Sequence, residues 1–146
     1  MDNIRKATPQ DLIRIAEIEI FNYRLNFFPI FKSDWYYFQE LQVPSLAEKH
    51  RESLASLWVY DDGVVKGFLL SENQELKKLF VEPVLQGQSI GAKLLDFAVT
   101  ELDVRFLWAL QKNEKAIAFY RRHGFQVTAD RKPEDGTSEY LVRLTR

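Results

Sequence analysis

The spacing of apolar positions divides the chain into short strands and amphipathic helices. Asn3 to Ala7 reads as a short first strand. Thr8-Pro9-Gln10-Asp11 then carries a helix start: Thr8 can cap, Pro9 suits the first helical position, and Asp11 stands three residues after the cap. Leu12, Ile15, Ala16 and Glu19 form one face of that helix, and Glu19 gives it a polar end. Phe21 to Val43 has no clear period; Pro29 interrupts it and Pro44 closes it. Leu46, Lys49, His50 and Leu54 resume helical spacing and predict a second helix over Ser45 to Ser53. Leu57 to Tyr60 and Val64 to Leu70, joined by Asp61-Asp62-Gly63, predict a β-hairpin. A third strand runs from Glu75 to Val81 and stops at Glu82-Pro83.

The second half alternates. A glycine-containing loop, Leu85 to Gly91, leads into a helix lined by Ile90, Leu94, Ala98 and Leu102. Arg105 to Leu110 is an apolar strand, and Asn113 to His123 a helix stopped by Gly124. Phe125 to Thr128 and Tyr140 to Leu144 are closing strands on either side of Pro133-Glu134-Asp135-Gly136. The order β-α-α-β-β-β-α-β-α-β-β predicts an α/β fold with a mixed, mostly antiparallel sheet of about seven strands, flanked on both faces by about four helices. The strand-helix-strand alternation predicts parallel pairing in the second half. Residues 1–146 read as a single domain.

Composition narrows the chemistry. The chain has no cysteine, which excludes disulfides, thiolate-bound zinc and a cysteine nucleophile. His50 and His123 are the only histidines, so no metal site is expected. A net charge of -1 gives no basic field for nucleic acid or for an anionic membrane. The first ten residues lack the apolar core of a secretory signal, and no apolar run approaches a membrane span. The expectation is a cytoplasmic protein without a nucleic-acid or membrane partner, a monomer or homodimer. Aromatics make up 14% of the chain, and nine of them fall between Phe21 and Phe38.

The junction from Glu82 to Leu95 is the richest stretch. A strand passes through a loop with Gly87 and Gly91 into a helix, so unpaired N–H groups and the positive helix end face one place, suited to phosphate. Neither the Walker spacing nor the dinucleotide Gly-x-Gly-x-x-Gly is present. A plain junction with packing glycines fits the segment equally well.

Gln86-Gly87-Gln88-Ser89-Ile90-Gly91 resembles the Gln/Arg-x-x-Gly-x-Gly/Ala signature of the GNAT N-acetyltransferase superfamily, with Ser89 in place of the usual central glycine. Asn113 to Phe125 resembles the same family's second block, Asn-x-x-Ala-x-x-Phe-Tyr-x-x-x-Gly-Phe. The resemblance implies acetyl transfer from acetyl-CoA to a primary amine, of a small molecule or a peptide, by direct attack on the thioester. It implies that Leu79, Phe80 and Val81 hold the acetyl and pantetheine portion through their backbone. Gln86, Gly87, Gln88, Ser89, Ile90, Gly91 and Ala92 would hold the pyrophosphate. Asn113, Ala116 and Phe119 would flank the cofactor.

Tyr120 corresponds to the tyrosine that protonates the leaving thiolate, although an aromatic at this helical spacing also suits a core. Glu75 matches a strand-four glutamate used as base in some members, and a surface strand-end carboxylate is its plain alternative. The fifth-strand glutamate of members that acetylate protein N-termini is Trp108 here. Glu82 is a weaker base candidate; His123 reads as a cation at a helix end, Lys77, Lys78 and Lys93 as a solvated face, and His50 has no visible partner. Trp35, Tyr36 and Tyr37 are the expected acceptor-binding residues, since each joins an apolar body to a polar handle. The phenylalanines of the cluster are expected mainly to pack a helix onto the sheet. A catalytically weak acyl-CoA sensor of the same fold is the alternative reading.

Overall fold

The structure is a computed structural model that describes residues 3–33, 36 and 41–146. Its centre is a seven-stranded sheet in the order β1-β2-β3-β4-β5-β7-β6. The strands are β1 (Ile4–Lys6), β2 (Leu57–Asp61), β3 (Val65–Glu72), β4 (Glu75–Val81), β5 (Phe106–Leu110), β6 (Gln126–Pro133) and β7 (Tyr140–Thr145). The helices are α1 (Leu12–Asn22), the single turn α2 (Phe28–Phe31), α3 (Val43–Arg51), α4 (Ile90–Glu101) and α5 (Glu114–Arg122). Among the described residues no helix is long and apolar enough to cross a membrane.

Alternation along the strands sends apolar side chains to both faces, and helices cover each face. Ile15, Ile18 and Leu46 of α1 and α3 bury Val59, Phe68 and Leu70 on one side. Leu94, Leu95 and Ala98 of α4 bury Leu69, Leu76, Leu107 and Val142 on the other, where Ile117, Phe119 and Tyr120 of α5 also pack. Gly67 permits the close approach of α4: a Cβ there would stand 3.0 Å from both Leu94 Cδ1 and the Phe80 carbonyl oxygen. The start of α1 is fixed as its sequence suggests. The Thr8 N–H donates to Asp11 Oδ2 at 2.8 Å, and Arg5 holds both carboxylate oxygens of Asp11, at 2.8 and 3.0 Å.

Two expectations are corrected. Parallel pairing in the second half is limited to β4 and β5, because β7 lies between β5 and β6 and is antiparallel to both. The aperiodic stretch after Phe21 is helical through Phe31. A π-helical turn at Tyr23–Phe27 joins α1 to α2. The turn lies just before Pro29, which has no N–H to donate and whose ring clashes with the carbonyl of Leu25 in a regular α-helix; widening the helix accommodates both effects. A mixed 3.6- and wider-period segment shows neither standard pattern, which is why its sequence looked irregular.

The pairing of β4 with β5 covers only Glu75↔Phe106 and Leu76↔Leu107. It ends at a bulge. Leu70 pairs with Lys78 and Ser71 with Leu76, so Lys77 is an extra residue on β4. A bulge bends its strand, and beyond Lys77 β4 leaves β5. Between the diverging strands a cleft opens.

Candidate active site

The cleft has a volume of about 580 Å³. β4 supplies one wall through Leu79, Phe80 and Val81. The Glu82 N–H donates to the Lys66 carbonyl at 2.9 Å. By antiparallel alternation, the backbone groups of Leu79 and Val81 therefore point away from β3, into the cleft. The Val81 carbonyl is already occupied there, accepting from Asn22 Nδ2 at 2.8 Å and Gln86 Nε2 at 3.3 Å. Leu79 and the Val81 N–H remain to meet a ligand.

The loop into α4 forms the second wall, with Gln86, Gly87, Ser89, Ile90, Gly91 and Ala92 on the cleft. Gly87 has φ +90, a conformation that excludes most side chains. Ser89 has φ 67 and ψ 9, so a residue with a Cβ holds the left-handed position before the helix. The first-turn N–H groups of α4 have no acceptor within the helix, and Ile90, Gly91 and Ala92 of that turn line the cleft. Gln86 is anchored on Asn22 Oδ1 at 2.9 Å, which orients the loop rather than reaching outward. Gln88 is exposed and does not line the cleft.

α5 closes the third side. Asn113 caps it, accepting from the Ala116 N–H at 3.3 Å, which leaves the Asn113 amide hydrogens for a ligand. Ala116, Phe119 and Tyr120 face the cleft, joined by Lys115, Arg122 and His123. The last three are outside the expected cofactor set, although their spacing on the flank of Ala116 and Phe119 was visible. Lys115 and Arg122 add two positive charges. His123 packs at a tilt against Phe119, with ring centroids 4.7 Å apart, so it is part of the wall as well as a helix end. Tyr120 packs edge-on against Phe119 and Phe125. Burial pushes its phenol well above the usual tyrosine range, so it is held as the protonated, proton-donating form.

A second cavity, of about 710 Å³, lies between the α1–α2 segment and the β6–β7 loop. Its aromatic side is formed by Tyr23, Phe27, Phe31 and Tyr36, and its polar side by Glu134, Asp135, Ser138 and Glu139. Phe27 lines both cavities and marks their junction. Burial, reinforced by neighbouring Asp135, pushes the Glu134 carboxyl above its usual range. Glu139 is 3.2 Å from Lys112.

The remaining sequence candidates fall as follows. Tyr36 lines the second cavity, whereas Trp35 and Tyr37 lie outside the described residues. Phe27 and Phe31 belong to the cavity wall, not to the helix-on-sheet core expected for the phenylalanines. Glu75 opens β4 at the paired end of the strands and lines neither cavity. Glu82 is held by Arg14 at 2.8 Å. Lys78 is no solvated lysine and His50 is not partnerless: both reach the fully buried Glu19, at 2.5 and 2.6 Å. Those contacts join residues 59 and 31 positions apart, beyond the reach of local pattern.

Known proteins match this arrangement. Residues 53–127 match the acetyltransferase (GNAT) domain family. The peptidyl-lysine N-acetyltransferase YjaB of Salmonella typhimurium is 32% identical over 83 residues, 56% of this chain and 57% of that protein. The peptidyl-lysine N-acetyltransferase YiaC of Escherichia coli is 33% identical over 75 residues, 50% of this chain and 51% of that one. The matched stretches thus span about half the length of these curated relatives. The apo solution structure of YjaB from Escherichia coli superposes over 97% of this chain and 95% of that chain, with a TM-score of 0.76 at 23% identity. The PaiA N-acetyltransferase from Thermoplasma acidophilum, in complex with coenzyme A, superposes over 98% of both chains with a TM-score of 0.67 at 19% identity. The family match covers just over half of the chain and includes the diverging strand, the glycine loop and the capped helix, so the chain belongs to the GNAT acetyltransferase family.

Proposed function

We propose that this protein transfers the acetyl group of acetyl-CoA to a primary amine, that of a peptide lysine in particular. The observation that carries this reading is the free edge of β4 at Leu79 and Val81, set against the N-terminus of α4 with Tyr120 in the same cleft. The fit is chemical. Strand-edge amides suit the amide-rich pantetheine arm and a thioester carbonyl. A helix N-terminus with Lys115 and Arg122 suits its phosphates. The lysine acceptor is supported by the curated relatives, both peptidyl-lysine N-acetyltransferases.

Each residue has a role in this reading. The N–H groups of Leu79 and Val81 hold the acetyl carbonyl and arm, and Asn113 adds a side-chain donor. Tyr120 gives its proton to the departing thiolate. The acceptor enters the second cavity, where aromatic faces and carboxylates both favour an ammonium. A lysine amine, with an ordinary pKa near ~10.4, must lose a proton before attack. Glu134, raised by burial, is better placed to take it than Glu75, which lines neither cavity.

The test is thiol release from acetyl-CoA with N-terminally blocked lysine peptides and small amines. The chain has no cysteine, so it adds no thiol background. Release that depends on both protein and amine is expected. Absence of release, together with no thermal stabilisation by CoA, would sink the proposal.

A further inference from the structure

The two cavities are walled by different residues, with one exception. Among the described residues Phe27 alone lines both, so its ring bounds each cavity and stands between them. The local fold holds it there. Phe27 ends the π-helical turn, in which the Phe28 N–H reaches back to the Tyr23 carbonyl. Its ring stacks on Tyr23, with centroids 5.0 Å apart and planes 23° apart. Tyr23 is itself held: it packs edge-on against Phe80 at 5.4 Å, and its hydroxyl donates to the fully buried Glu19. The basic side chains of the cleft, Lys115, Arg122 and His123, all belong to α5, whereas the α1–α2 segment gives it only Asn22, Asn26 and Phe27. Phosphates are therefore favoured toward α5 and the start of α4, and an uncharged group beside Phe27.

The inference rests on the acetyl-transfer reading and names what sets the length of the group transferred. Transfer requires the thioester carbon, held in the cleft, to meet an amine arriving from the second cavity. The residue common to both walls marks that meeting place. The sulfur leads back along the cleft toward the phosphates, and the amine approaches from the other cavity. The acyl chain beyond the carbonyl is left facing the Phe27 ring. We propose that Phe27 is the end wall of the acyl pocket, and that it restricts the donor to acetyl length. Truncating it would join spaces of about 580 and 710 Å³ and give a longer straight chain somewhere to go.

The experiment measures the affinities of CoA, acetyl-CoA and butyryl-CoA for the whole chain by calorimetry. Thiol release to an N-terminally blocked lysine peptide is read on the same preparations. The wild type is expected to bind acetyl-CoA about tenfold or more tightly than butyryl-CoA, the order of one methylene without room in a pocket. Phe27→Ala should shrink that preference about tenfold and leave CoA, which has no acyl group, unchanged. Phe31→Ala, which opens only the second cavity, should keep the wild-type preference. Phe27→Leu carries the test if Phe27→Ala does not fold, with a smaller shift in the same direction. A wild type indifferent to acyl length, an unchanged preference in the folded Phe27 variants, or an equal shift in Phe31→Ala would overturn the proposal. A Phe27-dependent preference without thiol release from either acyl-CoA would support it and sink the transfer reading instead. Normal thiol release with an unaltered preference would do the reverse, and a wild type that binds none of the three would overturn both.

Discussion

Asn22, the last residue of α1, donates its side-chain amide to the carbonyl of Val81, 59 residues away, at 2.8 Å. The same nitrogen reaches the Ile18 carbonyl at 2.8 Å, and its oxygen accepts from Gln86. One buried amide thus joins α1, β4 and the glycine loop. Asn22→Ala leaves a buried carbonyl with one fewer donor, a loss of about 1–3 kcal/mol. Thermal melting should show the destabilisation, and calorimetry should show weaker CoA binding, because β4 and the loop lose their common tie.

Tyr120→Phe keeps the packing against Phe119 and Phe125 and removes only the proton donor. Turnover should fall by roughly 10²-fold or more, the scale of general acid catalysis, with CoA affinity unchanged. Because burial raises the Tyr120 phenol, the wild-type pH–rate profile should show no falling limb from this group near neutrality. An equal loss of CoA binding would place the residue in structure rather than chemistry.

Acid should unfold the protein partly through Glu19. Its folded pKa lies below the ordinary 4.5, so the ionised group contributes stability at neutral pH. That contribution begins to fade as pH falls through the ordinary value and is lost once pH passes below the folded one. Asp11, lowered from 3.8 mainly by Arg5, acts in the same direction. Denaturant midpoints measured from pH 7 down to pH 3 should therefore decline, and less steeply in Glu19→Gln from its own lower starting stability.

Ser89→Gly should stabilise the fold. A left-handed L-residue costs about 1–2 kcal/mol, and glycine returns roughly 0.4–1 kcal/mol of that as unfolded-state entropy. The net gain should raise the melting temperature by about 2–4 °C. CoA affinity should change only modestly, because the loop already has the glycine-like conformation with serine in place.

The cleft between β4, the glycine loop and α5 was legible because its signals are local. Gly87 and Gly91, the Asn113 cap and the Glu82-Pro83 stop each act within a few residues, and the structure gathers them around one cleft. The region around the α1–α2 segment was not, because its order comes from the tertiary fold. Glu19 looked like the polar end of a helical face until His50 and Lys78 converged on it. Phe27 and Phe31 have the composition of a core, and only the π-helical turn sets them along a cavity.

The extra residue at Lys77 has a consequence for how the strand tolerates change. Leu76, Leu79 and Val81 all join the α4-side core, while Lys78 and Phe80 join the α1 side; simple alternation would have put Leu76 with Lys78. Lys77 therefore acts as a phase marker for everything after it. Its deletion would shift the strand by half a period. Lys78 would turn toward the apolar α4 side, and Leu79 would be left facing the carboxylate of Glu19. Substitution at this position should cost little, whereas removal of a single codon would turn β4 inside out.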